Sequence, residues 1–307
     1  MDKRKTGIAL FITLMVIASI MSIIAVSFSY LEKARTDANA VSGLIQANIL
    51  YGNTSDVLKR FFPKGSKDSK KLNLLYTLPL TLAEEESGFM LNMQCKALIT
   101  AVPINWLDEE KFSSVPDKSS LAKDILLYVA DFYNIEDPNG LEEMLLEAIT
   151  GKTLENRDYE PRLDKQRGIV SKNQFMRIIT NYSLQYSDKK ALNIPWEKYF
   201  TFIEVSQKML IDGGYPSAEF ISAAFDIPLE LVKDAWVNDI KSGEVTTLSS
   251  FLKDNDYVSP LNKKIYSTKA VNAMHCKQIF IYNENQYGFQ FNYIEGRSSN
   301  FEFNGQE

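Results

Sequence analysis

Few side chains in this sequence could do chemistry, and they form no conventional catalytic set. The single histidine, His275, would have to serve any Ser-His-Asp or Cys-His arrangement, and no Gly-x-Ser-x-Gly turn is present to present a nucleophile. His275 falls in a strand-like run, where a structural or surface role is expected. Zinc needs several His or Cys ligands, and His275, Cys95 and Cys276 are too scattered to give a ligand spacing. No glycine-rich phosphate loop appears. Glu155, Asp158, Glu160 and Asp164 form an acidic loop after a helix. Calcium takes six to eight oxygens, which four carboxylates and backbone carbonyls would supply. Arg157, Arg162 and Lys165 are interleaved with them, which favours plain surface salt bridges. The residues therefore point away from an enzyme, with calcium as the one candidate cofactor.

The elements that must position these groups start from the N-terminus. Lys3-Arg4-Lys5 and Gly7 precede an apolar run from Ile8 to Val26, and no Gly or Pro interrupts the chain from Ile8 to Ser42. Three readings share such a start. A secretory signal peptide has a shorter apolar region, about 7 to 15 residues, although Ala25, Ser27 and Ser29 mimic a cleavage site. A single-pass anchor needs about 20 apolar residues, and Ile8 to Leu31 suffices. The third reading explains more residues. Past the membrane edge, Leu31, Ala34, Ala38, Val41, Ile45 and Asn48 or Ile49 recur at three- and four-residue steps, a stripe expected to bury one side of a helix on a folded domain. A helix from Ile8 to Tyr51 would be roughly 65 Å long. The basic residues before the apolar run place the tip in the cytoplasm and the bulk outside, periplasmic in a Gram-negative cell.

Arg4-Lys5-Thr6-Gly7 followed by Ile8-Ala9-Leu10-Phe11-Ile12 resembles the class III signal sequence of pilin-like proteins, a short basic leader cut after Gly before an apolar residue. The Gly-x-Ala-Leu opening, the large size and the lack of a glutamate at the fifth mature position are similar to the minor pseudopilin K family of type II secretion. The resemblance implies processing between Gly7 and Ile8 by a prepilin peptidase and a methylated N-terminus. It implies a place at the tip of a pseudopilus, because internal subunits use the fifth-position carboxylate to pair with a neighbour's N-terminal ammonium. Here that position is Ile12, and an unpaired buried charge would cost an internal subunit several kcal/mol. In an ordinary anchor, Ile12 is simply lipid-facing. The family also binds calcium through carboxylates, which brings Glu155 and Asp158-Tyr159 into a loose match, although Leu146 to Thr150 replaces the expected aspartate-rich stretch. Implied partners are other minor pseudopilins and the pseudopilus, the inner-membrane assembly platform and the peptidase. A membrane-anchored periplasmic binding or sensor protein, or a minor pilin of a type IV pilus, remain the alternatives.

Composition is that of an ordinary globular protein: 307 residues, 45% hydrophobic, 24% charged, enough for two domains beyond the helix. A net charge of -5 argues against a nucleic-acid partner. Lys59 to Lys71 is lysine-rich but diluted by Asp68 and serines, and reads as a solvated linker. Cys95 and Cys276 sit in similar surroundings, Met-Gln-Cys-Lys and Met-His-Cys-Lys. An oxidising compartment favours a bridge between them over two buried thiols.

Strand periodicity runs from Leu72 to Leu82, broken only by Leu75, and from Phe89 to Ala101, with the polar Glu84 to Gly88 between. Ile279 to Tyr282 and Tyr287 to Ile294 suggest a second hairpin around Asn283 to Gln286. Between them the period is helical. Ser119 or Ser120 would cap a helix through Tyr133, and Asn139 with Glu142 resembles a capping box. Phe175, Ile178, Ile179 and Tyr182 follow helical steps, and Pro216 and Pro228 would open helices. Ala218 to Val237 superficially resembles a helix-turn-helix, but Glu230 and Asp234 give it the wrong charge for DNA. The fold expected is α+β: a pilin-like long N-terminal helix packed on a small antiparallel sheet, with a large all-α domain inserted between strands. The boundaries are 1–7 for the leader, 8–55 for the helix with 8–31 in the membrane, 72–104 and 266–307 for the sheet domain, and 105–265 for the insert.

Overall fold

The computed structural model describes residues 3–65, 68–84, 89–152, 167–237, 247–257, 265–282 and 285–306. Its first element, α1 (Lys3–Phe61), is a single helix of 59 residues, about 88 Å long at 1.5 Å per residue. It runs past the expected end at 55 and absorbs the start of the lysine-rich segment, so that segment is not one linker from Lys59 to Lys71. The stretch Thr13–Phe61 is long and apolar enough to cross a bilayer. Its most apolar window has a mean hydropathy of 2.2, and none of that window is buried in the rest of the protein.

The expected strand over Leu72 to Leu82 is helix in its first half. Asp68 caps α2 (Ser69–Thr77) by accepting the Lys71 N–H, and the residues it buries are Leu72 and Leu75. Leu75, the residue that broke the alternation, reaches the core, so the helical period wins over the strand period. Only β1 (Leu80–Glu84) is extended, and it pairs with β2 (Phe89–Ala97).

The chain then enters the insert through β3 (Val102–Pro103), whose parallel partner is β4 (Phe200–Thr201). Between them lie α3 (Pro116–Phe132), α4 (Pro138–Thr150) and α5 (Lys172–Tyr186). The expected caps of the first two are displaced, because a proline fixes the first helical residue of each. Ser119 lies inside α3, donating to the Pro116 carbonyl at 3.0 Å. Asp137, rather than Asn139, caps α4 through the Gly140 N–H at 3.0 Å. Next come α6 (Ala218–Phe225), capped by Ser217, α7 (Leu229–Val232), a π turn over Lys233–Val237, and α8 (Leu248–Asp254). The helix-turn-helix look-alike is a packed pair: Phe220, Ile221, Val232 and Trp236 are all buried. The chain's three tryptophans, Trp106, Trp196 and Trp236, all lie in the insert core.

Three long strands follow: β5 (Ala273–Tyr282), β6 (Asn285–Ile294) and β7 (Arg297–Gln306). The sheet order is β1-β2-β5-β6-β7, with every neighbour antiparallel. The strands β2 and β5, adjacent in space, are thus the two roots of the insert. Strand β7 had no counterpart in the expected hairpins. Its turn, Glu295-Gly296, has both residues at positive φ, which is what a two-residue type I′ hairpin requires. A second hydrophobic core lies between the helices and the sheet, with Leu58, Phe62, Leu72, Phe289 and Phe291 among its members.

Candidate functional site

The most informative surface of this molecule is the half of α1 that lies on the sheet, because its two sides are both apolar. Gly43, Ala47, Thr54 and Leu58 face the sheet and are buried. They are mostly small because the sheet offers large rings: Tyr287, Phe289 and Phe291 are fully or almost fully buried beneath the helix. The Tyr287 hydroxyl donates to the Asn39 carbonyl at 3.0 Å, and the Tyr293 hydroxyl to the Phe62 carbonyl at 2.6 Å. Gln278 donates to Thr54 Oγ1 at 2.7 Å inside the same core. These bonds tie both ends of the contact.

The stripe expected to be buried is on the opposite side. Val41, Ile45 and Ile49 are 59%, 57% and 52% exposed, and Leu31, Ala34 and Ala38 are not buried either. The correction has a steric cause: the aromatic floor accepts glycine and alanine at close range and leaves the β-branched side chains outside. Residues 31, 34, 38, 41, 45 and 48, continued by Gly52, keep alternating steps of three and four, the spacing of a helix-pairing seam. A Cβ at Gly52 would meet nothing within 4 Å. This stripe continues the apolar run of the N-terminal half without a break in the helix.

Cys95 and Cys276 are bonded to each other. They are directly opposed in the β2–β5 register, with Cα atoms 4.1 Å apart, and both are buried. The bridge closes the neck of the insert. Just beyond it, Asp212 is fully buried and joins three segments. Its N–H donates to the Ile99 carbonyl at 2.9 Å, Oδ1 accepts from Gly214 N–H at 2.8 Å and Oδ2 from Val271 N–H at 3.0 Å. Burial pushes its carboxyl up to about 7, against the lowering effect of those N–H donors. Asp212 in turn raises the hydroxyls of Tyr76 and Tyr215, both already raised by burial. Asp212 and Tyr215 did not stand out in the sequence.

Lys118 is a second buried charge. Its ammonium donates to the carbonyls of Gln207, at 2.7 Å, and Met209, and lies 4.6 Å from the centre of the Trp106 ring. Burial lowers its pKa to about 8. A proline-led helix gave no hint that its third residue would be enclosed.

His275 sits on β5 with Nδ1 2.9 Å from Asn292 Oδ1, and burial lowers its pKa. Its partners are strand neighbours, not a nucleophile. Gly7, Ile8 and Ile12 lie within α1. The four carboxylates proposed for calcium, Glu155, Asp158, Glu160 and Asp164, are outside the described residues. Among the described residues no group of three or more His, Cys, Asp or Glu side chains could hold a metal.

Fold and surface together define an α+β protein: a sheet domain on a long N-terminal helix able to cross a bilayer, carrying a helical insertion. No family model matches the chain, and no curated protein matches it. Among solved structures, the chain is similar to one from the GspK-GspI-GspJ complex of the type 2 secretion system of enterotoxigenic Escherichia coli. That likeness has 12% identity and a TM-score of 0.46, and it covers 85% of this chain and 96% of the other.

Proposed function

We propose that this protein is a minor pseudopilin of a type II secretion apparatus, cut after Gly7, which sits at the tip of the pseudopilus and assists protein export across the outer membrane. The observation that carries this reading is the second apolar face of α1. A helix apolar on opposite sides is one that is covered on opposite sides. Lipid covers residues 8–31 before assembly, but the seam from 31 to 52 lies beyond the membrane edge, where water is its only neighbour in the free molecule. Helices of sister subunits, aligned by the same membrane insertion, would cover both halves at once. Lys3-Arg4-Lys5 sets the orientation, tip in the cytoplasm and bulk in the periplasm. Ile12, where a filament-internal subunit would carry a carboxylate, suits a subunit with no neighbour above it.

Two measurements test the reading together. Mass analysis of the mature protein should find a chain that starts at methylated Ile8. Val41→Cys and Ile45→Cys variants should cross-link in cells to the N-terminal helix of another minor pseudopilin. A retained Met1 with no cross-link overturns the proposal in favour of a plain anchor.

A further inference from the structure

We propose that the free edge of β1 receives one extended segment of a different protein as a sixth strand of the sheet, with alternate apolar side chains of that segment lying over Leu80 and Leu82. The two edges of this sheet are unlike. At β7 the ladder slips against β6 between Gly288 and Phe289 and again between Gln290 and Asn292. Asn300 and Gly305 of β7 have positive φ. Helix α1 lies alongside it, with Ser55 Oγ 2.7 Å from Ser298 Oγ and the Tyr51 ring against Phe301. Bulges, twists and a covering element are the ordinary protections of a sheet edge.

Among the described residues, edge β1 has no bulge and no covering element, and its one protection is Pro79, just ahead of the strand. Its register with β2 runs without a shift from Leu80↔Met93 to Glu84↔Phe89, and no strand pairs beyond it among the described residues. Every residue from Thr77 to Ala83 is exposed, and Leu78, Leu80 and Leu82 show 53%, 49% and 64% of their surface. Leu80 and Leu82 oppose Met93 and Leu91, which are buried on the helix-covered face. The apolar face of the sheet therefore continues past its last covered strand. An unpaired row of N–H and C=O groups beside alternating leucines is what strand addition needs: backbone bonds for affinity, side-chain positions for specificity.

The chemistry of the occupant follows from the same geometry. Identical β1 edges paired antiparallel would be related by a twofold axis perpendicular to the sheet. Because α1 lies along the sheet face, that axis would point the two membrane helices in opposite directions. Two copies inserted in one bilayer cannot pair antiparallel, the arrangement of every neighbouring pair in this sheet, so the added strand is assigned to a different chain; this step rests on the reading of α1 as a membrane anchor.

The test uses the full chain in detergent micelles and a labelled seven-residue peptide of alternating valine and threonine. Saturable binding is expected, weakened at least tenfold by Leu82→Lys and at least tenfold by N-methylating the peptide amides along one edge. The thermal midpoint of Leu82→Lys should match the parent, since the side chain is exposed. Absence of saturable binding, equal binding to Leu82→Lys, or full binding of the N-methylated peptide overturns the inference. So does a micellar dimer of the full chain that Leu82→Lys dissolves, because the occupant would then be a second copy. The cross-links at positions 41 and 45 lie on another surface, so failure here leaves the pseudopilin reading standing, and the reverse holds.

Discussion

Gly43 stands directly against the ring of Tyr287: a Cβ at position 43 would come within 2.5 Å of Tyr287 Cε1. The helix can reach its hydrogen bond from Tyr287 to Asn39 only because that Cβ is missing. Glycine inside a helix normally costs about 1 kcal/mol relative to alanine, while overpacking costs typically about 1–3 kcal/mol. Gly43→Ala should therefore be net destabilising, by about 1 kcal/mol, and Gly43→Val by more. Urea unfolding followed by far-ultraviolet circular dichroism checks this. A stabilised Gly43→Ala would mean that α1 sits farther from the sheet than described.

Removing the neck bridge should act mainly through the unfolded chain. Cys95 and Cys276 are 181 residues apart, and closing so long a loop is worth about 5 kcal/mol in the chain-entropy model, with about 2–4 kcal/mol typical in practice. A Cys95→Ala/Cys276→Ala chain should unfold at lower urea than the oxidised parent, and reductant should bring the parent towards it. Because all three tryptophans are in the insert, their fluorescence reports the insert alone. Comparison with circular dichroism then shows whether the two cores still unfold together.

Asp212 gives a signed dependence on pH. Its folded carboxyl, at about 7, lies above the unfolded aspartate value near 3.9. The folded state thus holds a proton that the unfolded chain has released, so this contribution is fully present below about pH 4 and is lost as pH rises through 7. Its size is a few kcal/mol at most. Asp212→Asn should flatten the fall in urea midpoint between pH 4 and 8 that this residue produces. An unchanged pH profile in the variant would show that the Gly214 and Val271 N–H donors keep Asp212 ionised throughout.

Lys118→Met should destabilise the insert by about 2 kcal/mol. It leaves the carbonyls of Gln207 and Met209 without their donor and removes the cation from the Trp106 face. Tryptophan fluorescence in urea reads this directly. A variant as stable as the parent would show that water replaces the ammonium at no cost.

The broad plan of this fold was readable because it rests on long signals. A helix without breakers, strand periods at both ends and helical periods between them survive local error. What was not readable depended on partners far away in sequence. The face that α1 turns to the sheet is decided by Tyr287 and its neighbours, more than 200 positions later, so the bulkier stripe looked like the buried one. Leu72 to Leu82 misled because two periods overlap there, and only contact with β2 chooses between them. The neck around Asp212 had no motif at all: one aspartate among ordinary neighbours becomes a hub only when Ile99, Gly214 and Val271 converge on it. Phe301 and Phe303 alternate beyond Glu295-Gly296, a turn-and-strand signal that would have revealed β7.

The covalent link between the two roots of the insert also governs how load travels. Any push or pull delivered to the outer end of the helical block arrives at strands that are stapled across, so they cannot unzip one residue at a time. Tension passes into the sheet as shear on the whole ladder, and from there to the rod beneath it.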